Sequence, residues 1–398
     1  MKITTRLIFV LLFLIMPWYA IAQSGFSGAY IGRFTTQQRA VNQGDTDQAM
    51  RLYNRIILRY EPTKNFAIRT ALRRADFFQE KVGNTHFYYG YLNWEPLSTL
   101  HLMVGRQYPY NKMIRRAIDG ASAEWALFPR LSVEGLAGIF APADREGFAK
   151  NPDDEHGSYL ALHYQGPEAA SVRASVYQQV SDGRIINFTG LDARYVDFFH
   201  TDLYGFFKYN FTDNVVQEAE AQARHEFGER LAATVSLRYR DPNFDLPPWY
   251  WQFAVDPYST VRFGVDYWAT NTGSVTAEYF SRVLNDGAIQ RYRLGWLATD
   301  WSLGVVYADD NRNGSNEWNA YGSLQHHFGK TLLVGAGVNY FDYVLHEEYE
   351  EPLNAYGAQL FVKYRVLDAL TAGVRGYYLI NPEYSEDVRL LGELSYQF

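Results

Sequence analysis

The chain has 398 residues, no cysteine, 17% aromatic residues and a formal net charge of −7. The missing thiols exclude a disulfide framework, a thiolate nucleophile and any Cys-ligated metal. The acidic balance disfavours nucleic acid as a partner. Mean hydropathy is −0.30 although 47% of residues are hydrophobic. Apolar residues must therefore be finely interleaved with polar ones.

The first 22 residues have the composition of an export signal. Met1 to Arg6 is basic, Leu7 to Met16 is almost wholly apolar, and Ala20-Ile21-Ala22 supplies a small-x-small cleavage pattern. The apolar run is shorter than the ~20 residues that a retained helical anchor needs. The sequence thus predicts a signal peptide over 1–22, cleaved after Ala22, and a mature chain over 23–398. Loss of Lys2 and Arg6 takes the formal charge to −9.

From about Phe26 onward the pattern has a period of two. In Arg51–Tyr60, Leu52, Ile56, Leu58 and Tyr60 share one face, and Arg51, Arg55 and Arg59 share the other. In Val216–Phe227, Glu218, Glu220, Gln222, Arg224 and Glu226 alternate with Ala219, Ala221, Ala223, His225 and Phe227. Leu231–Arg240 sets Thr234, Ser236, Arg238 and Arg240 against Ala233, Val235, Leu237 and Tyr239. The alternation recurs to the last segment, where Val388, Leu390, Gly392, Leu394, Tyr396 and Phe398 form one set. Such alternation marks half-buried strands. Connections alternate as well. One series is short and rich in turn formers, from Glu61–Asn65 to Val366–Ala369; the other is longer, at Thr36–Asp47, Pro142–His156, Asp182–Leu191, Asp241–Pro257 and Val344–Pro352. This is a meander of about 20 strands, within an even bracket of 16 to 22, in one domain. Gly183–His200 reads equally as one strand or as a loop.

A soluble sandwich would also alternate, so the direction of the faces decides. The polar faces carry ordered arginine and glutamate, aromatics such as Tyr60, Trp94, Phe128, Phe227, Trp301, Phe328, Tyr364 and Tyr396 gather beside the short turns, and segments of ~10–12 residues suit tilted strands crossing a bilayer. Together with the export signal and the terminal Tyr396-Gln397-Phe398, these features resemble the porin-like outer-membrane β-barrels of Gram-negative bacteria. The resemblance covers the mature chain. It implies a closed antiparallel up-and-down all-β barrel in the cell outer membrane, contacting the lipid bilayer and lipopolysaccharide. It also implies that barrel-insertion machinery reads the last strand, with Tyr396 and Phe398 as its signal. A second resemblance is local: Val104-Gly-Arg-Gln107 and Ile118-Asp-Gly120 are similar to a hairpin of alginate-export-type and related substrate-specific porins. Asp-Gly is also a common turn pair.

The candidate sites belong to a lumen. Arg51, Arg55, Arg59, Arg69 and Arg73 form one charge ladder; Glu124, Glu134, Glu218, Glu220, Glu226 and Glu278, with Arg238 among them, stand elsewhere on the wall. Two readings stay open: a transverse field that orients solutes, or salt-bridge bracing that closes the bore. Trp249, Tyr250, Trp251 and Phe253, behind Pro247-Pro248, suit either a constriction that stacks solutes or a membrane-interface anchor. Asp309–Gly314 opens like a calcium loop, but Ala320 occupies the position of the bidentate acid, which leaves a polar turn. The run His346–Glu351 is an acidic outer loop, suited to divalent ions bridging lipopolysaccharide or to solvent alone. No catalytic constellation, metal set or cofactor motif stands out. The expected function is a channel for small hydrophilic solutes. A dedicated polysaccharide or solute conduit, and a structural barrel sheathing a partner protein or forming a homo-oligomer, are the alternatives. A bore of this strand number is wide enough that loops or a partner must fill it.

Overall fold

The structure, a computed structural model, describes residues 25–41, 46–78, 80, 82–109, 111–141, 155–167, 169–181, 183–242, 256–312, 315–343, 353–381 and 384–398. These residues form 22 strands. The first eight are β1 (Phe26–Val41), β2 (Thr46–Thr63), β3 (Phe66–Phe77), β4 (Val82–Leu97), β5 (Leu100–Gln107), β6 (Ile118–Phe128), β7 (Leu131–Phe140) and β8 (Glu155–Gln165). Then come β9 (Ser171–Ser181), β10 (Arg184–Phe198), β11 (Thr201–Asn210), β12 (Val215–Glu226), β13 (Leu231–Arg240), β14 (Tyr258–Thr270) and β15 (Gly273–Leu284). The last are β16 (Gly287–Ala298), β17 (Trp301–Asp310), β18 (Ser315–Phe328), β19 (Leu332–Tyr343), β20 (Leu353–Leu367), β21 (Leu370–Ile380) and β22 (Tyr384–Gln397).

Each strand pairs antiparallel with its sequence neighbour, and β1 pairs with β22 from Ala29↔Gln397 to Val41↔Tyr384. The sheet is closed. Phe398 completes the seam: its carbonyl accepts from Gly28 N–H at 2.8 Å, and its own N–H donates to the Gly28 carbonyl at 3.1 Å. Its ring stacks on Tyr396 at 5.9 Å between centroids. Closure is the condition for spanning, because a sheet edge in hydrocarbon leaves a row of unpaired backbone groups.

Phe26 and Phe398 lie at one end, where the turns are short, as at Pro129-Arg130 and Asp368-Ala369. At the other end most connections are longer, up to the stretch between Arg240 and Tyr258, though those after Ser181 and Leu284 are two residues long. The exterior is apolar. Leu160 and Leu162 on β8, Val235 and Leu237 on β13, and Leu360 and Val362 on β20 are all exposed. Trp94, Phe128, Phe227, Trp301, Phe328 and Tyr364 are exposed near the short turns, where an interfacial girdle belongs. A second aromatic file crosses strands higher up: Tyr279, Tyr292, Tyr307 and Trp318 stand 5.2, 6.1 and 4.7 Å apart in sequence.

The strand count is 22 rather than about 20, the top of the expected bracket. Two long loops expected from sequence are corrected: Thr36–Asp47 shortens to the stretch between Val41 and Thr46, and in place of Asp182–Leu191 β9 ends at Ser181 and β10 starts at Arg184. On β10 the cause is local. Ile186 and Phe188 are buried on the inner face while Ile185 and Leu191 are exposed outside, so both faces are apolar and the period of two is blurred. Residues 1–24, including the expected signal peptide, and the stretches carrying Trp249, Tyr250, Trp251 and Phe253 and the His346–Glu351 run lie outside the described residues.

Deleting Phe398 removes both seam bonds to Gly28 and the aromatic end of β22. The heat-modifiable, folded band on a semi-native gel should fall sharply in the membrane fraction, whereas an unchanged folded fraction would deny the seam this role.

Candidate functional site

The inner wall is not left empty. The connection from β5 to β6, described over residues 108–109 and 111–117, turns into the bore and lies against the wall built by β7 to β12. Their base is the Gly-Arg-Gln/Asp-Gly pair noted in the sequence. Gly105 takes φ = +127°, and a Cβ there would overlap the Gly90 carbonyl, a conformation and an approach that suit glycine. The next residue, Arg106, is fully buried. Its guanidinium grips Asp119 through Nε and Nη2, at 2.6 and 2.7 Å, and donates from Nη1 to the Phe87 carbonyl at 3.0 Å. The Phe87 ring lies 5.0 Å from it. Gln107 accepts from Ser122 Oγ at 2.7 Å. Asp119-Gly120 therefore lies inside β6 and is not a turn; a bidentate buried pair of this kind fixes geometry as well as charge.

The segment is then seated by apolar and charged contacts together. Met113 and Ile114 are buried in a cluster with Ile118, Leu136, Phe140, Tyr159, Tyr177, Ile186, Phe188 and Phe206. Burial of two such side chains contributes about 1.5–3 kcal/mol each. The fit against β10 needs glycine: a Cβ on Gly190 would overlap Met113 Sδ. Around this core, Lys112 Nζ donates to Glu220 at 2.5 Å, Arg115 pairs with Glu218 and Arg116 with Glu155. The buried Lys208 donates from the wall to the Met113 carbonyl at 3.1 Å. Glu218 is the keystone of the charged set, since its side chain is 1% exposed and it also accepts from Arg238 at 2.6 and 3.0 Å. A carboxylate so desolvated is tolerable only because two guanidiniums meet it.

The charges expected from sequence distribute unequally. Glu218, Glu220 and Arg238 meet at the seat of the segment. Glu226 is engaged by Arg224 at 3.3 Å and Glu278 by Arg262. Glu134 stands 3.9 Å from Arg173, and Glu124 accepts from Ser132. On β2 and β3, Arg59 pairs with Glu61, and Arg69 stands 3.6 Å from the same carboxylate. Arg51 lies over Phe77 at 5.3 Å, and Arg55 and Arg73 lie over Tyr88 at 5.6 and 5.5 Å. Among the described residues these last three have no carboxylate partner. The same holds for Arg282 over Tyr258, and for Arg293 and Arg375, which donate to Tyr321 and Tyr377. The uncovered wall thus presents guanidiniums held by aromatic faces and phenols, which leave their charge facing the bore.

Between the segment and the wall is a cavity of about 580 Å³, lined among others by Lys112, Tyr159, His163, Arg173, Asp192, Arg194, Asp202, Tyr204, Gln222 and Arg224. Neither this cavity nor the inward segment was named from sequence. The available signal was the pair Met113-Ile114 between basic residues in a ten-residue connection, because apolar residues in a loop require cover.

No protein-family model matches the chain, and no curated protein matches it. Solved structures do. The translocation pore of the P pilus usher PapC is similar with a TM-score of 0.57 at 8% identity, over 94% of this chain and 99% of that one. A point mutant of the ferric enterobactin receptor PfeA of Pseudomonas aeruginosa is similar with a TM-score of 0.58 at 11% identity, over 93% and 80%. At such identities the likeness is one of fold. By fold the chain is an outer-membrane-type β-barrel, closed, antiparallel and of 22 strands.

Replacing Glu218 by Gln leaves Arg115 and Arg238 without their shared carboxylate, at a cost of about 3 kcal/mol. The segment carries Lys112, Arg115 and Arg116, so limited trypsinolysis reads its seating. Wild-type protein should resist cleavage there and the Glu218→Gln protein should be cut within 112–116; equal resistance would remove Glu218 from this role.

Proposed function

We propose that the protein is exported by its first 22 residues, cleaved after Ala22, and assembled in the outer membrane as a channel for small hydrophilic solutes. The observation that carries this reading is the asymmetry of the bore. One wall is covered by the seated segment 108–117, and the other presents Arg51, Arg55, Arg73, Arg282, Arg293 and Arg375, which have no carboxylate partner among the described residues. A segment anchored by its own apolar cluster narrows a wide ring to a defined passage. Size and field are then sufficient to select among solutes with no chemistry at the wall. Arg59, Arg69 and the glutamates of β12 and β15 brace the wall in this reading, while the guanidiniums held by aromatic rings and phenols set the field. The apolar exterior and its aromatic girdle serve the contact with lipid and lipopolysaccharide, and the β22 terminus with Tyr396 and Phe398 serves insertion.

The reconstituted protein should give stable conductance in planar bilayers, with a reversal potential displaced toward the anion under a salt gradient. Arg51→Glu combined with Arg55→Glu should move that potential toward the cation by an amount well outside the wild-type spread. A silent bilayer would end the channel reading, and an unmoved potential would end the assignment of the field to these residues.

A further inference from the structure

The cavity beneath segment 108–117 contains an arrangement that the rest of the protein avoids. Asp192 and Arg194 stand two residues apart on β10, so their side chains share the inner face with Cα atoms about 6.6 Å apart. Elsewhere this spacing closes direct ion pairs, as in Arg74–Asp76 at 2.9 Å, Arg224–Glu226 at 3.3 Å and Arg389–Asp387 at 2.6 Å. On β10 it does not. Asp192 accepts from Tyr204 Oη at 3.1 Å instead, and Tyr204 sits directly across from Arg194 in the β10–β11 register. Among the described residues Arg194 makes no ion pair and Asp192 meets no cation at ion-pair distance; the other cations of the lining are turned to other carboxylates, Arg173, across from Asp192 in the β9–β10 register, to Glu134 at 3.9 Å, Arg224 to Glu226 at 3.3 Å and Lys112 to Glu220 at 2.5 Å. Both line the cavity. A carboxylate and a guanidinium are thus held near each other and apart, under a roof formed by the seated segment.

We infer that this cavity is a subsite for zwitterionic solutes of the amino-acid type, with the solute ammonium on Asp192 and the solute carboxylate on Arg194. The inference rests on the channel reading and names the solute class that lingers in its bore. A simple anion would satisfy Arg194 and face the Asp192 carboxylate; a simple cation would meet the converse. A neutral sugar would leave both charges without a counterion. Only a solute carrying both signs closes the gap that the Tyr204 bond keeps open, and discrimination of this kind comes from the mismatch as much as from the match. The cavity volume of about 580 Å³ leaves room for an amino-acid side chain beside Lys112 and the Tyr204 ring.

The test uses the full-length barrel in planar bilayers with three probes of one size: glutamine, 4-carbamoylbutanoate, which lacks its ammonium, and 4-aminobutanamide, which lacks its carboxylate. Glutamine should interrupt the current with dwell times about tenfold longer than either half-analogue, as expected for losing one charge-assisted contact. Asp192→Asn keeps an acceptor for Tyr204 and should abolish the advantage of glutamine over the carboxylate. Arg194→Gln should abolish its advantage over the amine. Conductance that is normal but equally indifferent to all three probes overturns the subsite and leaves the channel standing. So does a carboxylate that dwells as long as glutamine in the wild type. A barrel without conductance overturns both readings together.

Discussion

Everything in this molecule depends on the pairing of β1 with β22. A backbone crossing hydrocarbon has no solvent to take up its N–H and C=O groups, so each strand must find two neighbours, and a finite sheet can do that only as a ring. The seam meets the demand along its length, from the terminal bonds between Phe398 and Gly28 to the Val41↔Tyr384 pair. The ring then fixes the faces: side chains on one side of every strand meet lipid, and those on the other meet one another or water. The leucines and valines of β8, β13 and β20 and the arginines of β2 and β3 are consequences of that single partition.

A ring of 22 strands creates a second problem, an interior too broad to be filled by side chains from the wall. The chain answers with residues 108–117. Met113 and Ile114 bring an apolar core into the bore, and the wall from β7 to β11 supplies matching apolar residues on a face that would otherwise be polar. The ion pairs of Lys112, Arg115 and Arg116 then position a segment that apolar burial holds in place. Their carboxylate partners on β12 and β8 are buried or half-buried, so these contacts are more strongly coupled to the fold than surface pairs would be. The Arg106–Asp119 clamp sets the direction in which the segment leaves the wall. Among the described residues the bore thereby has one side covered by the segment and one side faced by guanidiniums.

Much of the architecture is legible in the sequence because the period of two is so regular. Strand type, the meander, the two classes of connection and the terminal seam all follow from alternation and turn chemistry at residues such as Arg51–Tyr60 and Val388–Phe398. The exceptions on β10 and in the inward segment share one cause. Where the lumen itself is apolar, as at Ile186 and Phe188 on β10, inner and outer faces cannot be told apart by polarity, and the strand reads as a loop. The inward segment is obscured for the same reason, since Met113 and Ile114 belong to a core with no counterpart in a simple water-filled barrel. The Gly-Arg-Gln/Asp-Gly pair was visible, but its meaning depended on a cross-strand contact between Arg106 and Asp119 that no spacing rule announces. The separation of Asp192 from Arg194 is likewise a matter of where Tyr204 stands, on another strand.

The central claim is that the bore is narrowed by segment 108–117, seated by its own residues on the β7–β12 wall. Single-channel conductance tests it most directly when the wild type is compared with a protein in which residues 109–116 are replaced by a short Gly-Ser linker. That replacement leaves Arg106, Asp119 and the seam untouched. The account predicts a folded barrel whose unitary conductance rises several-fold and whose discrimination between small and large solutes falls. A folded barrel with unchanged unitary conductance would contradict it.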